Sequence, residues 1–284
     1  MIHGKKLLFV LIGLFFVGVC LFQIHRLAHI NAEYVDKLAS FEESKKTKQE
    51  YINNLDRIKD LVLKNGPKET STDLIRAVME FVHDNSLHLV DDEHGAHAFN
   101  GLLVTQKLLL ASQRHENERP HLSCGPRSCL MRDLLTRFGI AARTVQLFSD
   151  AHKDVQGHRL LEVFNPETQT WELWDPDYRV TYVDALTKKS LDTMDILLGD
   201  LEKVVPKDGN TEGWKETRTE RLKEENYFGA VMLEGFGAQM LNSVGIINKE
   251  KFDINKAFSD GLTFKDWTRK NYRDARLILL PHHN

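Results

Sequence analysis

Cysteine is scarce: three in 284 residues, too few for a disulfide framework, and one of them, Cys20, sits in an apolar run. Neither sign of charge is in excess. Lys and Arg number 38 against 41 Asp and Glu, a net charge of -3, so no basic field argues for a nucleic-acid partner. Metal-ligand spacing is lacking as well. Among 13 histidines, the run His121-x2-Cys124-x4-Cys129 is too irregular for zinc. There are no internal repeats and no low-complexity tracts, and no cofactor is expected. What is present, at 42% hydrophobic residues, suffices for one sizeable core, or one core with an appended subdomain.

Long apolar runs are also few, and the first bears on topology. Leu7 to Ile24, LLFVLIGLFFVGVCLFQI, is eighteen residues with Gln23 its sole polar member, enough to cross a bilayer's hydrocarbon core as a helix. A cleaved signal peptide would have a shorter apolar region followed by small residues, and QIHRLAHINAE offers no such cleavage site. Lys5 and Lys6 precede the run. Residues 1–6 are therefore read as a short basic N-terminus and 7–24 as a transmembrane anchor, with the rest on the periplasmic or extracytoplasmic side of an inner membrane. A second run, YFGAVMLEGFGAQMLNSVGIIN from Tyr227, contains Glu234, Gln239 and several glycines. Those residues argue for a buried or cleft-lining segment instead of a second span.

Residues 25–70 are rich in charge and free of Gly and Pro until Gly66, with Tyr51, Leu55, Ile58 and Val62 at helical spacing. They read as a helical stalk that packs on the domain behind it. NGPKETSTD then breaks the helix, and Ser71 or Thr72 is placed to cap a new one whose apolar face is Ile75, Val78, Met79 and Val82. The core is expected over 71–185. Residues 186–284, including the helix-like ALTKKSLDTMDILLGDLEKVV, are expected to form a helical, cleft-shaping extension.

The stretch HLSCGPRSCLMRDLLTRFGIAARTV, from His121 to Val145, holds the two remaining cysteines. Leu130, Met131, Leu134, Leu135 and Phe138 recur as the buried stripe of a helix. Gly139 ends it, accepting left-handed backbone angles, and Pro126 suits the first turn, where its missing N–H has no partner to lose. Cys124 thus falls at the helix N-terminus, where the dipole and free amides favour a thiolate. Cys129 lies more than a turn deeper, beside the stripe. A disulfide between them is resisted by geometry, since residues five apart at a helix start point away from each other.

A lone cysteine is by default an ordinary half-buried thiol, and a nucleophile needs a base and a group to orient it. Downstream, ARTVQLFS, HRLLEVF and TWELWD read as three strands, with NPET as a β-turn between the last two. If the turn places Asn165 opposite Thr168, His158 stands opposite Asp175 on the same face, close enough for an imidazole–carboxylate hydrogen bond. Asp175 could also serve only to cap a turn, and Asp177 competes for the same role. Trp171 and Trp174 read as core and groove wall.

In order and spacing these residues resemble the transglutaminase-like superfamily, related in architecture to papain-like cysteine proteases. The matching elements are Cys124 opening a helix, Leu134-Leu135, Gly139-Ile140 with Arg143, His158 with Glu162-Val163, and Trp171 to Asp175-Pro176. Ser128 fills the small-residue place four after the cysteine, and the resemblance covers roughly 72–182. Arg159-Leu160 departs from the small residue and tryptophan common after the histidine, and Gly125-Pro126 after the cysteine is also unusual; both bear on substrate and activity more than on fold.

The resemblance implies an α+β fold, with a nucleophile helix packed on an antiparallel sheet. It implies a catalytic triad of Cys124, His158 and Asp175, performing thioester acyl transfer or amide hydrolysis on a cell-envelope peptide or protein. The alternative is a catalytically inactive scaffold of the same fold, binding a peptide or glycan in envelope or exopolysaccharide assembly.

Overall fold

The computed structural model describes residues 45–65, 69–88, 100–113, 116–149, 156–207, 227–234, 241–248, 263, 266 and 276–280. The apolar run 7–24 lies outside them, and among the described residues no helix is long and apolar enough to cross a membrane. The chain divides into two compact units, Met1–Glu50 and Tyr51–Asn284. Of the first, residues 45–50 are described, and they are helical.

In the second unit, helix α1 (51–64) is followed by α2 (Ser71–Asp84), strand β1 (Leu87–His88) and α3 (Gly101–Ala111). Next come β2 (His121–Leu122), α4 (Cys124–Arg137), β3 (Ala142–Ser149), β4 (Gln156–Asn165), β5 (Thr170–Asp175) and β6 (Val180–Asp184). The chain continues with α5 (Thr193–Leu198), β7 (Val204–Lys207), β8 (Tyr227–Glu234), β9 (Leu241–Asn248) and β10 (Arg276–Leu280). Eight strands form one sheet in the order β10-β9-β8-β3-β4-β5-β6-β7, antiparallel except for the parallel pair β9–β10. Strands β1 and β2 make a separate two-residue parallel pair. The architecture is α+β.

Alternation along the central strands feeds two cores, which is why they read as nearly continuous apolar runs. Leu161, Val163 and Trp174 join the stripe Leu130, Met131, Leu134 and Leu135 of α4, together with buried residues of α1, α2 and α3. Their neighbours Leu160 and Leu173 join Val145, Leu147, Tyr182 and the α5 residues Ile196 and Leu197 in a second cluster. Helix α4 ends as the sequence indicates. Gly139 has φ +76°, its N–H bonds the carbonyl of Thr136, and the N–H of Ile140 bonds that of Leu135, both at 3.0 Å. That is the double closure of a Schellman motif.

Three sequence expectations need correction. Leu55 and Ile58 of α1 are wholly buried in the α4 core, so the domain begins before residue 71 and at least this part of the stalk belongs to it. Helix α2 is capped by Thr70, whose side chain accepts from the amide of Asp73, one residue ahead of the expected Ser71 or Thr72. Beyond residue 185 the described chain is mainly strand, not helix. Helix α5 stops at Leu198, Gly199 and Asp200 break it, and β7 follows. Strand β8 lies between β3 and β9 with Tyr227, Ala230, Val231 and Met232 all buried. Burial on both faces erases the alternation that marks a strand. Residue 185 is therefore no boundary, because β7 and β8 complete the same sheet.

Candidate active site

Cys124 is the first residue of α4. Ser123 caps the helix without a side-chain hydrogen bond, so no hydroxyl occupies the first-turn amides around the thiol. Both described cysteines are free and half-buried. Burial pushes the Cys124 thiol up, yet its pKa lies below the ordinary thiol value. A hydrogen bond from the His158 side chain, the charge of that ring and a bond from the backbone N–H of Arg159 together outweigh burial, with Asp177 opposing them.

His158 and Asp175 meet as expected, but by a different register. The β4–β5 ladder pairs Leu161 with Trp174 and Asn165 with Thr170, so Asn165 does not face Thr168 and His158 does not stand opposite Asp175. The hairpin loop is four residues, 166–169, closed by Gln169 at φ 56°. The expected register is off by two residues. Because side chains alternate with period two, this keeps both residues on one face and makes them diagonal neighbours. Their contact is His158 Nε2 to Asp175 Oδ2 at 2.7 Å.

Asp175 has no exposed surface and divides its two oxygens between two tasks. Oδ1 accepts the amides of Asp177 and Tyr178, at 3.0 and 3.3 Å, and so shapes the turn 176–179. Oδ2 accepts His158 and the hydroxyl of Tyr182, the latter at 2.8 Å. Asn165 and Asp184 open the neighbouring turns in the same way, by accepting the amides of Glu167 and of Leu186 and Thr187. Capping a turn and holding the histidine are thus not alternatives for Asp175. The ring of Tyr178 tilts against the imidazole, centroids 5.3 Å apart.

Asp177 has a separate role. Its carboxylate bonds Arg127 Nη1 at 3.0 Å in an ion pair with both side chains 2% exposed, and His88 Nδ1 at 3.1 Å. Arg127 also reaches Ser86 Oγ through Nε and the carbonyls of Ser86 and Asp177. One guanidinium therefore ties helix α4 to the end of α2 and to the turn that follows Asp175. Reading the sequence missed Arg127, Tyr178 and Tyr182. Tyr182 was recoverable, since Asp175 pairs with Val180 and Tyr182 lies two further along on the same face. Arg127 was signalled only by an arginine beside a helix's apolar stripe.

No protein-family model matches this sequence, and no curated protein does. Among the described residues, no group of three or more His, Cys, Asp or Glu side chains is placed to hold a metal ion.

Proposed function

We propose that this protein is a transglutaminase-like cysteine enzyme that transfers or hydrolyses acyl groups through a thioester. The observation that carries the reading is the 2.7 Å contact between the His158 imidazole and the buried Asp175 carboxylate, with the same imidazole lowering the pKa of a helix-start thiol. The Cys124 thiolate attacks the carbonyl carbon of an amide. The helix dipole and the Cys124 N–H oppose the charge that develops on its oxygen. The carbon–nitrogen bond breaks, and protonated His158 gives its proton to the departing amine, leaving a thioester on Cys124. Water or an amine then attacks the thioester while His158 takes its proton, and the thiol is restored. Asp175 fixes the tautomer and supports the imidazolium.

The substrate is read as a peptide or protein of the cell envelope, reached from a membrane anchor over 7–24. That part of the reading is supported by the sequence alone. The test is thiol chemistry. Cys124 should react with iodoacetamide at pH 6, where an ordinary thiol is nearly inert, and Cys124→Ala should abolish turnover of a captured substrate while the fold persists. A Cys124 that labels no faster than a free thiol would favour the non-catalytic scaffold of the same fold.

A further inference from the structure

Among the described residues, the charged groups around the thiol are matched with one exception. Asp175 meets His158, and Asp177 meets Arg127 and His88. Arg159, the residue after His158, has no carboxylate against it among the described residues. Its guanidinium makes one hydrogen bond, from Nε to Gln146 Oε1 at 3.0 Å. Gln146 is its direct partner in the β3–β4 ladder, and the far end of that amide is oriented by the Leu147 carbonyl, 3.3 Å from Nε2. The group so held lies over Gly125, where a Cβ would come 3.4 Å from Nη1 and 3.8 Å from Cζ.

Gly125 follows the thiol-bearing residue, so the guanidinium of Arg159 lies over the first turn of the helix that Cys124 opens. The side chain of Arg159 is half-buried. A guanidinium fixed through Nε, with both Nη groups lacking a counter-charge among the described residues, matches the two oxygens of a carboxylate, and partial burial strengthens such a pair. Its charge is not what activates the thiol, because the principal lowering influence is His158.

We propose that Arg159 selects acyl donors bearing a carboxylate beside the scissile carbonyl, that is, an acidic peptide. The inference rests on Cys124 being the nucleophile proposed above. The carboxylate has two sources of the same chemistry: an Asp or Glu side chain flanking the bond, or the α-carboxylate of a chain end.

Two reagents of similar size separate charge selection from thiol activation. Iodoacetate and iodoacetamide each convert the thiolate to a thioether with loss of iodide, and iodoacetate alone carries a carboxylate next to the reacting carbon. In the full-length protein, the iodoacetate-to-iodoacetamide rate ratio is read from the mass of the Cys124 peptide and normalised to N-acetylcysteine. It should be about tenfold, as for one charge-assisted contact. It should fall to near unity in Arg159→Gln and persist in Arg159→Lys. Both reagents need the same thiolate, so the ratio is insensitive to changes in its ionisation, and circular dichroism of each variant shows that the labelled protein is folded.

A normalised ratio near one in the unaltered protein, or a high ratio that survives Arg159→Gln, overturns the proposal. Sluggish iodoacetamide labelling at pH 6 fails the nucleophile reading instead, so the two failures remain distinguishable. Peptide acyloxymethyl ketones then assign the source. Preference for Asp over Asn marks a side chain, and preference for a free over an amidated end marks a terminus. Preference for neither overturns the proposal.

Discussion

His158 Nε2 and Asp175 Oδ2 lie 2.7 Å apart without being ladder partners; they meet diagonally, beyond the last β4–β5 pair, Leu161 with Trp174. The other carboxylate oxygen is independently fixed by the amides of Asp177 and Tyr178. In Asp175→Asn the amide oxygen stays on those two N–H groups, so the amide nitrogen must face His158. The imidazole then accepts at Nε2 and carries its proton on Nδ1, the wrong tautomer for taking one from the thiol. Acyl transfer should fall roughly 10²-fold or more. The depressed thiol pKa should also rise, slowing alkylation at pH 6 while leaving it near normal at pH 9. Equal slowing at both pH values would indicate a misfolded site instead.

Asp177→Asn should act in the opposite direction on the thiol. Asp177 raises the Cys124 pKa, so removing its charge should speed alkylation at pH 6. It also leaves Arg127 buried without its counter-ion, a loss of about 3–5 kcal/mol. Urea denaturation reads that loss, and Arg127→Met combined with Asp177→Asn should recover part of it. Two aspartates separated by one proline would then be distinguished by the sign of their effect on one thiol.

Tyr182→Phe removes the hydroxyl that donates to Asp175 Oδ2, while the buried ring keeps its packing. A loss of about 1–2 kcal/mol in stability is expected for a lost hydrogen bond to a charged group. With one partner fewer on Oδ2 the carboxylate holds His158 less firmly, so labelling of Cys124 at pH 6 should slow. A stability loss with unchanged labelling would reduce Tyr182 to a packing residue.

Two glycines should respond differently to alanine. At Gly157 a Cβ would lie 2.1 Å from the Leu147 carbonyl oxygen, so β3 and β4 must part immediately before His158. Labelling of Cys124 at pH 6 should fall sharply. Gly139→Ala meets open space but keeps a φ of +76°, costing about 1–2 kcal/mol with labelling unchanged. Thermal unfolding beside labelling kinetics separates the two.

A chain beginning at Ser71 should not fold, because it lacks Leu55, Ile58 and Val62, which are 0%, 0% and 2% exposed in the α4 core. A chain beginning at Lys45 should fold cooperatively. Circular dichroism through a thermal scan decides it, and a cooperative melt of the shorter chain would restore residue 71 as the boundary.

The sequence was most legible where the chain is local. Helix α4 and strands β3 and β5 coincide with their pattern and cap signals, because apolar stripe, proline and glycine all agree there. The hairpin register was not legible. NPET allows a tight turn, and only the structure shows Gln169 in the left-handed region closing a longer loop. The His158–Asp175 contact survived that error through the parity of strand side chains. Strand β8 was hidden for the opposite reason, since two-sided burial leaves a run that reads equally as helix. Arg127 and its partners in Ser86 and Asp177 join residues 41 and 50 positions apart, which no local pattern reports.

The residues of the candidate site are made in one stretch, Cys124 to Tyr182, yet β3 has β4 on one side and β8 on the other. During synthesis the hairpins from β3 to β6 can form as they emerge, each closed by a short loop. Strand β8 begins only at Tyr227, so until it emerges β3 presents an open edge with Val145 and Leu147 uncovered by their later neighbours. The nascent chain thus passes through an interval in which its site is largely written but its sheet is half-bare. Slowing translation beyond Asp184, or delaying β8 with a long insertion before Tyr227, should lengthen that interval and raise aggregation and demand for chaperones. The vulnerability lies in the order of synthesis, and the finished fold conceals it.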